Sequence, residues 1–282
     1  MTLQPTNQPI NQSANWQHID TTQSDYFIDY LDTATAQAEM QRYKQKTYDL
    51  IGAVPGVALL DIGCGTGDDA IALAQRVGAT GYVVGLDRSE ALIEEARRRI
   101  TDDLAVIFAV GDSHNLPFSA NSFDGCRVDR VFMHLDDPQR ALSEAIRVTR
   151  PGGRILVRDP DWETLVIDCR DRDLSRRILN AHFDGAIRHS AIGRQLYRLF
   201  RQAGLDHVAV ADTSTLVLTE FATADQLYGL TDAAERAQAQ WPELHDPIEA
   251  WLEELQQADR NGQFFSAVLG FTVVGCKPIS LS

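Results

Sequence analysis

The sequence predicts an α/β fold built on a doubly wound, mostly parallel sheet. Apolar runs of strand length alternate with amphipathic stretches of helix length between residues 57 and 157. This alternation is typical of a parallel sheet with helices on both faces. A glycine-rich turn within LLDIGCGTGDDAIALAQ joins the first run to the first helix. The chain has 282 residues, of which 44% are hydrophobic, enough for a sizeable core.

The N-terminal part of the chain is predicted to hold a leader and a helical segment. Residues 1–24 are rich in Gln, Asn, Thr and Pro and lack the features of a signal peptide, so we expect disorder there. Residues 25–56 show a helical apolar face that includes Tyr26 and Tyr30, and Pro55-Gly56 ends the segment. We expect this segment to cap a single domain that spans residues 57–282.

Five strands with intervening helices are predicted in order at the start of this domain. Ser89 is expected to cap the helix after the second strand, and Pro138 to begin the helix after the fourth. Connections of this kind are right-handed almost without exception. The predicted strands span residues 57–62, 82–86, 104–110, 125–131 and 154–157.

The alternation changes after residue 159. Two helical insertions are predicted, at about 160–203 and 224–259, and the first ends at Gly204. Strands are predicted at 208–218 and 264–276. We expect the insertions to roof a substrate pocket.

Composition and charge exclude several classes of partner. The formal net charge of -14 argues against nucleic acid and against anionic membrane surfaces, which bind clustered Lys and Arg. The four cysteines share no C-x-x-C spacing, so neither a disulfide framework nor a zinc site is expected. No apolar run approaches the length of a membrane span. We therefore expect a cytoplasmic protein that acts on a small molecule and needs no metal.

The glycine turn lies where an open parallel sheet binds its ligand. Gly63, Gly65 and Gly67 follow the first strand at the switch point. Their G-x-G-x-G spacing departs from the dinucleotide pattern G-x-G-x-x-G. Asp61 precedes the turn and two aspartates follow it, and such carboxylates would repel a pyrophosphate. The turn therefore favours a neutral or cationic ligand, the alternative being a tight turn whose acids interact only with the helix dipole.

Two further strand ends carry acids suited to a nucleoside. Asp87, in GLDRS, ends the second strand, where an acid in this topology meets ribose hydroxyls. Asp112, in VGDSHNLPF, ends the third strand, where a carboxylate can accept a hydrogen bond from an adenine amino group. Each has a structural alternative: a helix cap for Asp87 and a turn residue for Asp112.

Four ordered motifs resemble those of class I S-adenosylmethionine-dependent methyltransferases. They are LLDIGCGTG, GLDRS, GDSHNLPF and FDGCRVDRVFMHLDDPQRALSEAIRVTRPGGRILVRDPDW. The likeness is greatest to the small-molecule branch that includes the ubiquinone and menaquinone C-methyltransferases. It implies a Rossmann-like methyltransferase fold with a seven-stranded sheet whose last strand runs antiparallel. It also implies S-adenosyl-L-methionine as cofactor, a cation without phosphate beside which carboxylates are favourable.

The resemblance implies a cofactor site at the strand ends. Asp61 and the glycines would line the methionine half, Asp87 would bind the ribose hydroxyls, and Asp112 would bind the adenine. Many relatives have an uncharged residue where Arg130 stands, and Arg42 could equally be a solvated helix charge. The expected cofactor-binding residues are Arg42, Asp61, Gly63, Gly65, Asp87, Arg88, Asp112, Ser113, Asp129 and Arg130.

The acceptor side of the site is less well defined by the sequence. Methyl transfer needs alignment and exclusion of water more than acid–base groups. His134 titrates near neutrality if unperturbed and is the candidate catalytic base, with a structural role before the next helix as the alternative. The expected substrate-binding residues are Tyr26, Tyr30, His134, Asp159, Asp161, Trp162, Arg194 and Tyr197.

Two acceptor chemistries remain open. Asp159 and Asp161 beside Trp162 favour N-methylation of an amine or guanidine-like group, held by charge and cation–π contact, in specialised metabolism. The alternative is C- or O-methylation of a phenolic or quinone-type ring, which the resemblance supports. An NAD(P)-dependent oxidoreductase and a non-catalytic cofactor-binding protein are the competing classes, and the glycine spacing disfavours the oxidoreductase.

Overall fold

A seven-stranded sheet forms the centre of the protein. A computed structural model describes residues 19–22, 24–101 and 103–279. The strands are β1 (Ala58–Ile62), β2 (Tyr82–Asp87), β3 (Val106–Val110), β4 (Phe123–Asp129), β5 (Thr149–Ile167), β6 (Asp206–Leu218) and β7 (Ser266–Cys276). Their order is β3-β2-β1-β4-β5-β7-β6. The first five run parallel, and β7 is antiparallel to both of its neighbours. The predicted methyltransferase fold is confirmed.

Helices cover both faces of the sheet and the carboxyl ends of its strands. Within the described ranges none of them is long and apolar enough to cross a membrane. The helices are α1 (Ile19–Thr22), α2 (Ser24–Ala36), α3 (Ala38–Ile51), α4 (Asp68–Val77), α5 (Glu90–Arg98), α6 (Pro138–Val148), α7 (Arg172–Ala186), α8 (Ile192–Gln202), α9 (Phe221–Tyr228), α10 (Leu230–Gln240) and α11 (His245–Arg260), with short 3₁₀ turns η1 (Phe132–His134) and η2 (Pro242–Leu244).

Two sequence predictions need correction. The stretch predicted as helical from residue 160 continues β5 to Ile167, because its backbone pairs with β7 at Asp161 and again at Val166 after an irregularity. Within the predicted disordered leader, α1 is helical and Ile19 is buried. The rest of that leader, apart from Ser24 at the start of α2, lies outside the described residues.

The glycine turn after β1 brings backbone close to the site. Gly63, Gly65 and Gly67 have φ of +72°, +54° and +85°, the left-handed region that glycine adopts without strain. A Cβ at Gly63 would lie 2.2 Å from a methyl carbon of Val131, so the turn also needs glycine for space. The turn can therefore lie directly beneath a ligand.

The helices α1 and α2 cover this edge of the sheet. The Asp20 carboxylate accepts hydrogen bonds from the Glu90 and Ala91 backbone N–H groups, at 3.1 and 3.2 Å, at the start of α5. The Asp32 carboxylate accepts two more from the Arg99 guanidinium, at 2.8 and 3.0 Å. These contacts hold the helical segment over the strand ends, where the site is built.

Candidate active site

Two cavities open at the carboxyl edge of the sheet and meet at η1. The strand-end cavity, of about 510 Å³, lies over the ends of β1 to β4. The aromatic cavity, of about 360 Å³, lies among α2, α7, α9 and α10. Met133 and His134 line both cavities, so η1 is the junction at which two bound molecules would meet.

The structure brings most of the sequence-predicted cofactor residues to the strand-end cavity. Its lining includes the backbone of the glycine turn and side chains from the ends of three strands. The predicted residues found there are Gly63, Gly65, Asp87, Arg88, Asp112, Ser113, Asp129 and Arg130.

Asp87 and Asp112 present carboxylates from adjacent strand ends. The Asp87 carboxylate accepts hydrogen bonds from the Gly65 and Ser89 backbone N–H groups, each at 3.0 Å, and burial raises its pKa. The Asp112 carboxylate is 66% exposed and accepts from the His114 backbone N–H at 2.9 Å. Burial would raise the pKa of Asp112, but the hydrogen bonds from His114 lower it overall. Both carboxylates retain lone pairs for a ligand's hydroxyl or amino groups.

A buried charge network lies beneath the cavity, centred on Arg127. This side chain is 1% exposed, and its Nη1 lies 2.9 Å from Asp61 and 3.3 Å from Asp69. Its Nη2 lies 2.8 Å from Asp129. Lys44 bonds to Asp69 and lies 3.7 Å from Asp129. The network fixes Asp129 at the cavity wall and holds Asp61 below it. Asp61 was predicted to line the cavity, but the structure places it beneath the lining.

Within this network the pKa of Asp61 is raised and the pKa of Asp69 is lowered. Burial raises the pKa of Asp61 to about 6, although Arg127 opposes the shift. Burial would also raise the pKa of Asp69, but Arg127 and Lys44 lower it well below its usual range. Asp69 is therefore ionised at neutral pH and holds Lys44 against the cavity.

Lys44, and not Arg42, is the cation that α3 contributes to the strand-end cavity. The Arg42 side chain is 76% exposed, lies 3.9 Å from Glu39, and does not line the cavity. Successive helix residues are rotated by about 100° about the helix axis, so two residues that are two positions apart, such as Arg42 and Lys44, face nearly opposite directions. The structure therefore does not bring Arg42 to the strand-end cavity, and its predicted contact with the cofactor stays a prediction. The sequence analysis did not single out Arg127, although a charged residue within the apolar run of β4 is a sign of a buried ion pair. In the structure Arg127 lies opposite Asp61 of β1 in the sheet register.

Arg130 connects the two cavities. It has φ of +61° and lines the strand-end cavity, and its Nη2 donates a hydrogen bond to the hydroxyl of Tyr30 at 2.6 Å. The guanidinium also lies 5.4 Å from the centroid of the Tyr30 ring, which lines the aromatic cavity. A permanent positive charge therefore stands beside the junction.

His134 is placed at the junction but is not suited to the role of base. Burial, with the neighbouring Arg130 charge, lowers the pKa of His134 to about 3. Its imidazole is neutral at physiological pH, and a group of such low pKa is a weak proton acceptor. The predicted catalytic base is thus better described as a neutral side chain that shapes the junction.

The aromatic cavity is built from ring side chains of several elements. Tyr26 and Tyr30, both predicted, come from α2, and the predicted Trp162 comes from β5. The Trp162 Nε1–H donates to the sulfur of Met133 at 3.4 Å, and the indole stacks on Phe183 with a centroid distance of 4.5 Å. These rings suit a flat ligand. The same cavity is also lined by charged side chains, those of Asp184, Arg188, Asp232 and Arg236.

Four predicted substrate residues line neither cavity. Asp159 is fully buried and accepts from the Phe132 backbone N–H at 3.2 Å; burial and Asp129 raise its pKa to about 8. Asp161 is also fully buried and bonds to Arg194, which reaches Glu163 at 2.8 Å. Tyr197 is 44% exposed on α8. Because β5 continues past residue 160, alternate side chains of the strand enter the interior and not the cavity.

The lining of the strand-end cavity fits S-adenosylmethionine. Six carboxylates and three Lys or Arg side chains line it, an excess that favours a cation. Asp87, Asp112 and Lys44 all contribute to this lining. Without a cluster of cations, the same lining is unsuited to a pyrophosphate.

Comparisons with known proteins agree with this geometry. The family described as Methyltransferase domain matches residues 53–204. An uncharacterized 37.1 kDa protein in transposon TN4556 of Streptomyces fradiae is 40% identical over 247 residues, covering 88% of this chain and 70% of that protein. Demethylmenaquinone methyltransferase of Desulfitobacterium hafniense is 35% identical over 120 residues, 42% of this chain and 47% of that protein. The chain thus spans about half the length of that relative.

A solved structure shares the fold. Phosphoethanolamine N-methyltransferase 2 of Haemonchus contortus, in complex with S-adenosyl-L-methionine, superposes with a TM-score of 0.59 at 18% identity. The match covers 93% of this chain and 60% of that chain. At this identity the likeness concerns the fold.

Proposed function

We propose that this chain, which belongs to the methyltransferase domain family and is an S-adenosylmethionine-dependent methyltransferase, methylates a phenolic or quinol-type ring on carbon or oxygen. The observation that carries the proposal is the meeting of the aromatic cavity with the strand-end cavity beside Arg130. The likeness to a demethylmenaquinone methyltransferase supports the same acceptor class.

The charges at the junction favour an acceptor that reacts as an anion. A bound phenol becomes a stronger nucleophile when its proton is lost, and a nearby cation lowers the pKa of the hydroxyl. Arg130 supplies this cation, and the carboxylate of Asp129 beside it is already engaged by Arg127 and by the hydroxyl of Tyr43. An acceptor activated in this way needs no strong protein base, in agreement with the low pKa of His134.

The protein's contribution is alignment and exclusion of water. The cofactor supplies an electrophilic methyl group on a sulfonium centre. Met133 and His134 hold the acceptor ring at the junction, the stacked Trp162 and Phe183 fix its plane, and α2 lines the cavity with Tyr26, Phe27 and Tyr30. Methyl transfer depends strongly on such positioning.

The amine alternative loses the residues on which it was based. Asp159 and Asp161 are both buried beneath the site, one under η1 and the other against Arg194. Within the lining of the aromatic cavity, Asp232 is paired with Arg236 at 2.7 Å. N-methylation is therefore the second candidate, to be decided by experiment.

The test is transfer from methyl-labelled S-adenosylmethionine to two pools of acceptors. One pool contains phenols and quinols, the other amines and guanidines, and products are identified by mass spectrometry. We expect label on a ring carbon or oxygen, lost in Asp87→Asn. Label on nitrogen alone would refute the proposed acceptor class and leave the enzyme class intact.

A second variant tests the role of Arg130. If Arg130 stabilises the phenolate, Arg130→Gln should lower kcat/KM most at low pH, with partial recovery as the pH rises and the phenol ionises in solution. Arg176→Gln, an exposed residue of α7, is the matched control. Loss of activity by the same factor at every pH would refute this role.

A further inference from the structure

One wall of the aromatic cavity runs from the junction towards α7. Met133 begins it at the junction, and Trp162 continues it through the Nε1–H···S contact. Phe183 stacks on Trp162, and His182 meets Phe183 edge-on with a centroid distance of 5.1 Å. His182 lines the aromatic cavity but not the strand-end cavity, so two aromatic rings separate it from the junction.

His182 carries a buried nitrogen without a hydrogen bond. The residue is 8% exposed, and Nδ1 has no hydrogen-bond partner within residues 19–22, 24–101 and 103–279. The nearest carboxylate oxygen, on Asp232, is 4.0 Å away. Buried polar atoms are nearly always satisfied in folded proteins, by protein, water or ligand. Because His182 lines the aromatic cavity, a ligand bound there is the candidate partner for Nδ1.

The surroundings of the ring assign Nδ1 as an acceptor. Nε2 faces the backbone at Gly229: a Cβ added to this glycine would lie 3.1 Å from Nε2. The ring also forms a hydrogen bond with the backbone of Tyr228. With the proton on Nε2, Nδ1 carries the lone pair. Burial, with the Arg236 charge, lowers the pKa of His182, so the ring is neutral at physiological pH.

We propose that Nδ1 of His182 accepts a hydrogen bond from a hydroxyl group at the far end of the acceptor, which makes His182 a specificity-determining residue for polycyclic phenols. The inference rests on the proposed function, because it places a ring acceptor in the aromatic cavity. The hydroxyl recognised by His182 is remote from the methylated position, since Trp162 and Phe183 lie between His182 and the junction. A ring system of at least two fused rings would span the two ends.

Binding of two size-matched probes tests the inference without turnover. Naphthalene-2,6-diol offers a hydroxyl at each end, whereas 6-methoxy-2-naphthol offers no donor at the second end. With S-adenosylhomocysteine present, calorimetry should show that the wild-type protein binds the diol on the order of tenfold more tightly, the value of one good hydrogen bond. His182→Phe should remove this preference and leave affinity for the methoxy probe unchanged, and His182→Asn should retain part of it. His245→Phe, at an exposed site on α11, is the control.

Several outcomes would overturn the inference. They are an equal affinity of the wild-type protein for the two probes, a preference that survives in His182→Phe, or an equal loss of affinity for both probes in that variant. If His182→Phe does not fold, the wild-type comparison and His182→Asn decide. Failure of the proposed function is a separate result: the wild-type protein would bind the diol but transfer no methyl group to any ring acceptor.

Discussion

Replacing Arg127 tests the buried charge network that supports the cofactor cavity. Arg127 is 1% exposed and contacts Asp61, Asp69 and Asp129 within 3.3 Å. Arg127→Gln would leave the three carboxylates with Lys44, which bonds to Asp69, and with Arg158, which lies 4.0 Å from Asp129. Removing one partner of a buried ion pair typically destabilises by about 3–5 kcal/mol. We expect the free energy of unfolding to fall by this amount at neutral pH.

The loss of unfolding free energy in Arg127→Gln should become smaller as the pH is lowered. The pKa of Asp61 is about 6 in the folded protein, above the value of roughly 3.9 for an unfolded Asp. The folded state therefore binds more protons between these two values, and the contribution of Asp61 to stability falls as the pH rises through this window. Loss of Arg127 would raise the pKa of Asp61 further, so acidification should reduce the deficit of the variant, by up to about 1.4 kcal/mol per pH unit.

Urea unfolding followed by circular dichroism measures both effects. Arg76→Gln is the control, because Arg76 bonds to an Asp49 side chain that is 72% exposed, and such pairs contribute up to about 1 kcal/mol. A loss for Arg127→Gln no larger than that of the control would refute the account. A large loss that does not change with pH would refute the assignment of the titrating group to Asp61.

Three further substitutions give distinct expectations. Asp87→Asn should weaken S-adenosylhomocysteine binding about tenfold to a hundredfold by calorimetry, since hydrogen bonds to a charged group contribute about 1.5–3 kcal/mol, whereas the exposed Asp173→Asn should not. Lys44→Met should raise the KM for S-adenosylmethionine while Arg42→Met leaves it unchanged, and an equal rise in both would contradict the placement of α3. Asp159 has a pKa of about 8 in the fold against roughly 3.9 in the unfolded chain, so it makes stability fall as the pH rises from about 4 to about 8, and Asp159→Asn should flatten that slope in thermal unfolding.

Much of the site could be predicted because parallel strands end at one edge. An acid that directly follows an apolar run marks a strand end, so Asp87, Asp112 and Asp129 could be placed together from the sequence. The glycine spacing and the acids then defined the charge of the ligand. This reasoning needs only local pattern and topology.

The same rule failed where local pattern and pairing disagree. Asp159 and Asp161 also follow an apolar run, and the fifth strand was predicted to end before them, at residue 157. Pairing with β7, more than 100 residues later, extends β5 past them and turns both carboxylates inward. His182 lies in the insertion predicted at about 160–203, but the sequence could not single it out, because its unsatisfied nitrogen depends on the packing of α7 against α10.

The most direct test of the account is a crystal structure of the protein with S-adenosylhomocysteine and naphthalene-2,6-diol bound together. We expect the ribose hydroxyls at Asp87, the cofactor sulfur facing the junction at Met133 and His134, and the diol between that junction and His182. A diol bound outside the aromatic cavity, or a cofactor whose sulfur faces away from the junction, would contradict the account.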